Sequence, residues 1–248
     1  MARGPRQKSP TGFYHITQRG AGRQLLFQDD EDRNYFLNLL SLKFEQHLVT
    51  PIAWCLMSNH FHLIFEDPND NMSDAMHALE TGYAKFYKSK TGLIGPLFQN
   101  RFGSFAIESN EQLLQAIRYV HDNPLKAGLG SLLSYRWSSF HEYMGTPDII
   151  SVEPVLSLLG GVEGFYAFST SGKPNSYCFR YGNKIADQDC AEVAQAILNP
   201  LKLTDIKGLS REERDEALRT LRAHGFMLRQ IEMLTGVGIA SIHRACQE

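Results

Sequence analysis

The chain lacks any apolar run approaching 18 residues, so nothing in it reads as a membrane span. Its start, MARGPRQKSPTGFYHI, lacks the apolar stretch and small-residue cleavage site of a secretory signal. Cysteine is scarce: Cys55, Cys178, Cys190 and Cys246 are widely spread, with no C-x-x-C pair. That argues against a disulfide framework and against a cysteine zinc site. Internal repeats and low-complexity tracts are absent, which excludes fibrous and mostly disordered chains. A cytoplasmic protein without membrane contact is expected. What is present is ordinary for folded protein: 248 residues, 43% hydrophobic and 21% charged, enough for one large domain or two modest ones.

A strong charge of either sign is also missing, since the net is −2. The distribution says more than the sum. Residues 1–28 hold Arg3, Arg6, Lys8, Arg19 and Arg23 and no acid, and then Asp29, Asp30, Glu31 and Asp32 arrive together. Arg3, Arg6 and Lys8 sit among Gly and Pro. They read either as a flexible basic arm or as a solubilising tail.

Patterning predicts strands at 13–18 (FYHITQ) and 104–108 (SFAIE). Two apolar runs, 49–57 and 60–66, joined by Ser58-Asn59, predict a hairpin. Apolar residues at helical spacing predict helices over 31–47 and 72–90. A third helix is expected from Glu111 to Asn123, closed by Pro124. The order βαββαβ predicts an α+β, ferredoxin-like antiparallel sheet with its helices on one face, over residues 1–147.

Residues 148–205 are expected to be a connector, with possible short helices at VEPVLSLLG and GVEGFYAF and an exposed loop over 171–183. Over 206–248 the signals sharpen. Ser210 with Glu213 forms a capping box, and Gly225 suits the end of that helix. MLRQIEMLTG, then Val237-Gly238, then IASIHRACQE complete a helix-turn-helix layout. Arg229, Ala240, Ser241, His243 and Arg244 are its candidate DNA contacts. The plainer reading is a small helical cap.

His60-Phe61-His62 is the sharpest local signal. Residues i and i+2 of a strand face one side, so two imidazoles would point together and suit a divalent metal. Alone, such a pair is more often two ordinary histidines. Tyr119 and Asn123, four apart, share a helix face. A tyrosine can attack phosphorus and form a reversible ester, given help from a metal or base. An asparagine carbonyl can complete a metal shell. Tyr119 could equally be a core aromatic, since Ile117 and Val120 flank it.

YHITQRG, CLMSNHFHLIF, GPLFQNRFGSF, IRYVHDNPLKAGL and WSSFHEY, in this order over residues 12–143, resemble the single-tyrosine HUH transposases, most of all the REP-associated tyrosine transposases. The resemblance implies a ferredoxin-like fold and cutting of hairpin-flanked single-stranded DNA. It implies that His60, His62 and Asn123 bind Mg²⁺ or Mn²⁺ and that Tyr119 is the nucleophile, with Tyr83 and Tyr87 as rivals. It implies a 5′-phosphotyrosine intermediate and a monomer or homodimer. Phosphate contacts are expected from Arg19, Arg23, Arg101, Arg118 and Lys126. Phe98, Phe102 and Trp137 are candidates to stack on bases, or else core. Ser58 stands where the family commonly has Pro, and Phe98 where it has Trp. The C-terminal module implies duplex DNA as a second partner. The rival readings are a domesticated DNA-binding regulator that does not cut, and a phosphodiesterase that uses activated water.

Overall fold

The computed structural model describes residues 6–172, 175, 177, 180–181, 184–185 and 190–247. Arg3, Cys178 and most of the loop expected over 171–183 lie outside them. The chain divides into two compact units, Met1–Ser171 and Gly172–Glu248. The boundaries expected at 147 and 205 do not coincide with this division.

In the first unit, strands β1 (Phe13–Arg19), β2 (Thr50–Leu56), β3 (His60–Glu66) and β4 (Gly103–Ala106) form one antiparallel sheet in the order β2-β3-β1-β4. The β2–β3 connection is the expected tight hairpin, closed by Met57 N–H donating to His60 O at 2.9 Å. Facing residues of an antiparallel pair share a side. Arg19 faces His60 and Thr17 faces His62, so His15, Thr17, Arg19, His60 and His62 lie on one side of the sheet. Phe61, Leu63 and Phe65 lie on the other.

That second side is the main hydrophobic core. Helix α1 (Asp30–Gln46) starts where the Asp29 carboxylate accepts the Asp32 N–H, and it buries Phe36, Leu37, Leu40 and Phe44. Helix α2 (Met72–Thr91) buries Met76, Leu79, Tyr83 and Tyr87 and ends at Gly92, whose φ of +70° suits glycine. Phe36 packs on Phe61 with ring centres 4.8 Å apart, and Phe44 on Phe65 at 5.2 Å. Each such ring contributes about 1.5–3 kcal/mol through the area it removes from water. The helices lie close because α2 has Gly82. A Cβ there would come within 2.7 Å of Leu39.

The one-sided packing expected of the helices describes α1 and α2 only. Helix α3 (Asn110–Lys126), capped by Ser109, covers the histidine side of the sheet. It also runs past its expected end, because Pro124 sits inside its last turn. Proline has no N–H for the Val120 carbonyl. The Asn123 side-chain amide donates there at 3.4 Å and to Tyr119 O at 2.8 Å, which compensates.

Beyond α3, residues 137–139 extend the sheet along β2: Leu56 N–H donates to Trp137 O, and Ser139 N–H to Trp54 O, both at 2.9 Å. This covers an otherwise open edge. Helices α4 (Phe140–Met144), α5 (Glu153–Leu159) and α6 (Val162–Ser169) complete the unit. Tyr143 and Phe165 stack at 4.2 Å. The two short helices expected in the connector thus exist, and they belong to this unit.

The second unit has a two-stranded ribbon, β5 (Arg180–Tyr181) with β6 (Lys184–Ile185), then α7 (Cys190–Leu198), a 3₁₀ turn, α8 (Arg211–Ala223), α9 (Leu228–Thr235) and α10 (Ile239–Ala245). Its core includes Val193, Ile206, Leu218, Leu221, Phe226, Ile231 and Ile242. The Ser210–Glu213 capping box is present, and Gly225 follows α8 with φ +92°. Residues 190–205, expected to be part of a connector, contribute to this core. No helix among the described residues is long and apolar enough to cross a membrane.

Candidate active site

The site forms where α3 lies across β1 and β3. On β3 the rings of His60 and His62 are 5.3 Å apart, nearly perpendicular. The Tyr119 ring from α3 sits 5.6 Å from His62 and 5.7 Å from His15. The aromatic side chain and the two imidazoles expected to work together are therefore brought to one place. Asn123 follows one turn later on the same helix face and is buried.

Each histidine has one nitrogen engaged. His60 Nδ1 lies 2.8 Å from Asn59 Oδ1, and His62 Nδ1 lies 2.9 Å from His15 Nε2. His60 Nε2 is buried and makes no hydrogen bond. Burial disfavours the charged imidazolium here. It pulls His15 down to about 3 and His60 down to about 4, with Arg19 adding to the latter shift. Burial also holds His62 well below the ordinary histidine range, helped by the charges of its neighbours. Neutral rings are the form that ligates metals.

Two neighbouring imidazoles, one with a buried nitrogen that makes no hydrogen bond, and a buried amide one helix turn from the tyrosine are residue types that could hold a divalent cation. Among the described residues no group of three or more His, Cys, Asp or Glu is placed to hold a metal ion. The residues that could serve as donors are His60 and His62, with Asn123 on the neighbouring helix. Imidazole nitrogens suit Mn²⁺ better than the harder Mg²⁺.

The expected basic residues divide sharply. Arg19, half-buried, is near enough to lower the histidines' proton affinity, and its Nε is buried without a hydrogen-bond partner. Lys126 is exposed, with Nζ 4.7 Å from the centre of the Tyr119 ring. Arg23 is exposed and takes a left-handed φ of +66° beside Gly22 at +60°. Arg101 is exposed and near Arg6.

Arg118 differs. Only 4% exposed, it bonds Ser171 at 3.3 Å, pairs with Asp122 at 3.7 Å and lies over Phe168. Its charge is used inside the fold, because residue 118 is turned toward the α6 region rather than to solvent. Phe102 and Trp137 are buried, under Arg6 and beside Arg33 and Arg136, as the core reading has it. Phe98 is half-buried.

The rival tyrosines are on the other side of the sheet. Tyr83 donates its hydroxyl to Leu26 O, and Tyr87 donates to Leu25 O at 2.9 Å. In the second unit Arg229, Ala240, His243 and Arg244 are exposed and Ser241 is half-buried.

Sequence reasoning did not single out His15 and Asn59. A signal existed for His15: polar residues at 15, 17 and 19 alternate within an apolar strand. It also passed over Glu80, half-buried on α2 and bonded by Gln18 Nε2 at 2.8 Å. Burial raises its carboxyl to about 7, against the opposing effects of Gln18 and Arg6.

Residues 10–123 match the family of IS200-like transposases. Among solved structures, the chain is similar to a REP-associated tyrosine transposase bound to a REP hairpin. The identity is 20% and the TM-score 0.50, over 58% of this chain and 86% of that one. It is also similar to a Deinococcus radiodurans protein assigned as a transposase, at 18% identity and TM-score 0.35, over 53% of this chain and 98% of that one. No curated protein sequence matches.

Proposed function

The chain belongs to the IS200-like transposase family through residues 10–123, and from that premise we propose that it cuts and rejoins single-stranded DNA with Tyr119 as nucleophile. The observation that carries the reading is the meeting of Tyr119 with His62 at 5.6 Å, on the face that also holds His60 and Arg19.

His60 and His62 through Nε2, and Asn123 through Oδ1, would hold a divalent cation, Mg²⁺ or Mn²⁺. When bound, it supplies positive charge beside the non-bridging oxygens of the scissile phosphate. Arg19 and Lys126 bind the same phosphate and its neighbour. Tyr119 is only 1% exposed, so an entering strand draws the Lys126 ammonium from the ring face onto a phosphate oxygen. The Tyr119 oxygen then attacks phosphorus in line. The P–O3′ bond breaks as the tyrosyl P–O bond forms. The phenolic proton leaves to water and the departing 3′-oxygen takes one up. The phosphotyrosine ester conserves the bond, so a second 3′-hydroxyl can reverse the step without a nucleotide cofactor.

Arg23 and Arg101 are proposed as further contacts to the strand backbone, their affinity weakening with salt. The neighbour solved with a REP hairpin supports a hairpin-flanked strand as substrate. In the second unit, we read α8–α10 as a helix-turn-helix, with Arg229, Ser241, His243 and Arg244 toward duplex DNA. The test is incubation with Mn²⁺ and hairpin-flanked single strands labelled at either end. A 3′ label should stay on the protein and a 5′ label should leave on a free 3′-hydroxyl fragment. Release of both labels would favour attack by water, and no cleavage would favour a regulator.

A further inference from the structure

The two histidines of the site share a feature that the H-x-H pattern does not require. Each has its Nδ1 in hydrogen-bond contact with a side chain that is not itself a candidate ligand: Asn59 Oδ1 at 2.8 Å for His60, and His15 Nε2 at 2.9 Å for His62. A carboxamide oxygen only accepts. His60 therefore carries its hydrogen on Nδ1 and presents a lone pair at Nε2. The His15–His62 contact is between two ring nitrogens, so one hydrogen lies between them and either ring can own it.

The two arrangements have opposite consequences. If His62 donates, its Nε2 has a lone pair, matching His60. If His15 donates, His62 Nε2 carries a hydrogen and does not bind a cation. We propose that His15 and Asn59 are positioning residues, a pair of hydrogen-bond acceptors that set His62 and His60 to the Nδ1–H form so that both Nε2 lone pairs serve one divalent cation. This deepens the reading given under Proposed function and rests on it for the cation.

The placement fits that role. His15 lies on β1, two residues along and on the same face as Thr17, which faces His62 in the register. It is fully buried, so water does not compete for its Nε2. Its ring also touches Tyr119 at 5.7 Å, so one side chain braces both a ligand and the nucleophile. Thr17 Oγ1 donates to Phe61 O at 3.1 Å and fixes the main chain between the two histidines. Asn59 is held from the other side, where its carbonyl accepts the Gly20 N–H at 2.9 Å. Outer partners of this kind alter metal affinity by about 10–100-fold when removed.

The test begins on the full chain without metal or DNA, so its outcome is independent of whether the protein cuts DNA. Nitrogen-15 spectra of the histidine side chains report the tautomer of each ring. Wild type should show Nδ1–H for His60 and His62. His15→Leu removes the acceptor, so His62 should shift toward Nε2–H. His15→Gln, whose carbonyl can accept, should restore the wild-type form. Asn59→Ala, at a half-buried turn position, should do to His60 what His15→Leu does to His62.

Mn²⁺ binding followed by electron paramagnetic resonance should weaken about 10–100-fold in His15→Leu and Asn59→Ala and recover in His15→Gln. Nε2–H on His62 in the wild-type protein would overturn the proposal. So would Mn²⁺ affinity within twofold of wild type in Asn59→Ala, even if His15→Leu failed to fold. If the tautomers and Mn²⁺ affinities came out as expected but no DNA adduct formed, the nuclease reading would fail and this one would stand.

Discussion

On the α1–α2 side of the sheet, Tyr83 is fully buried and donates its hydroxyl to a main-chain carbonyl. On the α3 side, Tyr119 is buried to the same degree, but its neighbours are two imidazoles and an ammonium. Exposure does not separate the two tyrosines; surroundings do. The α1–α2 side is rich in packed rings, where a polar group must be tied to the backbone to be tolerated. The α3 side gathers His15, Thr17, Arg19, His60 and His62, groups that packing alone has no use for. One strand serves both, because alternate residues face opposite ways.

The comparison is broken most directly by exchanging the tyrosines' fates. Tyr119→Phe should lower covalent adduct formation at least ~1,000-fold, since no other hydroxyl replaces the attacking oxygen. Tyr83→Phe should keep the adduct and lose about 1 kcal/mol of stability from one hydrogen bond, as read by denaturant unfolding. Adduct lost in Tyr83→Phe and kept in Tyr119→Phe would reverse the roles.

A second contrast lies within the H-x-H triplet. Phe61→Ala should cost about 3–5 kcal/mol, because it opens a cavity against Phe36. His60→Ala should cost only about 1 kcal/mol, since it loses the one hydrogen bond to Asn59 and its Nε2 makes none, while abolishing Mn²⁺-dependent adduct formation. Equal destabilisation by the two would mean that the histidine is a core residue.

Glu80 gives the α1–α2 side a pH signature. The folded protein keeps its proton up to about pH 7, whereas an ordinary glutamate loses it near 4.5. Between those values the native state binds more protons, so stability falls as pH rises. Thermal unfolding should show that Glu80→Gln removes part of this fall between pH 5 and 7.5. Parallel curves for the two proteins would contradict it.

The smallest expected effect concerns the arginines. Arg19→Gln should reduce the salt dependence of single-strand binding by about 0.7 in log–log slope. Arg118→Gln should leave that slope unchanged and lower stability instead, because Arg118 is paired with Asp122 and Ser171.

Much of this was legible in the sequence because strand alternation and helical spacing are local rules. The histidine pair, the α1 and α2 core faces and the Ser210 capping box all follow from residues a few positions apart. The covering of the histidine face by α3 was not legible in the same way, since the element order does not say which side a final helix takes. Pro124 misled, because the compensation by the Asn123 side chain is invisible in the chemistry of proline alone. Arg118 misled for a related reason: its partners Phe168 and Ser171 lie about fifty residues away. His15 was hidden because it acquires meaning only when β1 is set beside β3.

The central claim is that the α3 tyrosine is the one that reaches DNA phosphorus. Mass spectrometry of the protein after reaction with Mn²⁺ and a hairpin-flanked strand, digested to peptides, reads the modified residue. The account predicts a nucleotide on Tyr119 in the peptide from α3. A nucleotide on Tyr83 or Tyr87, in the peptide from α2, would contradict it.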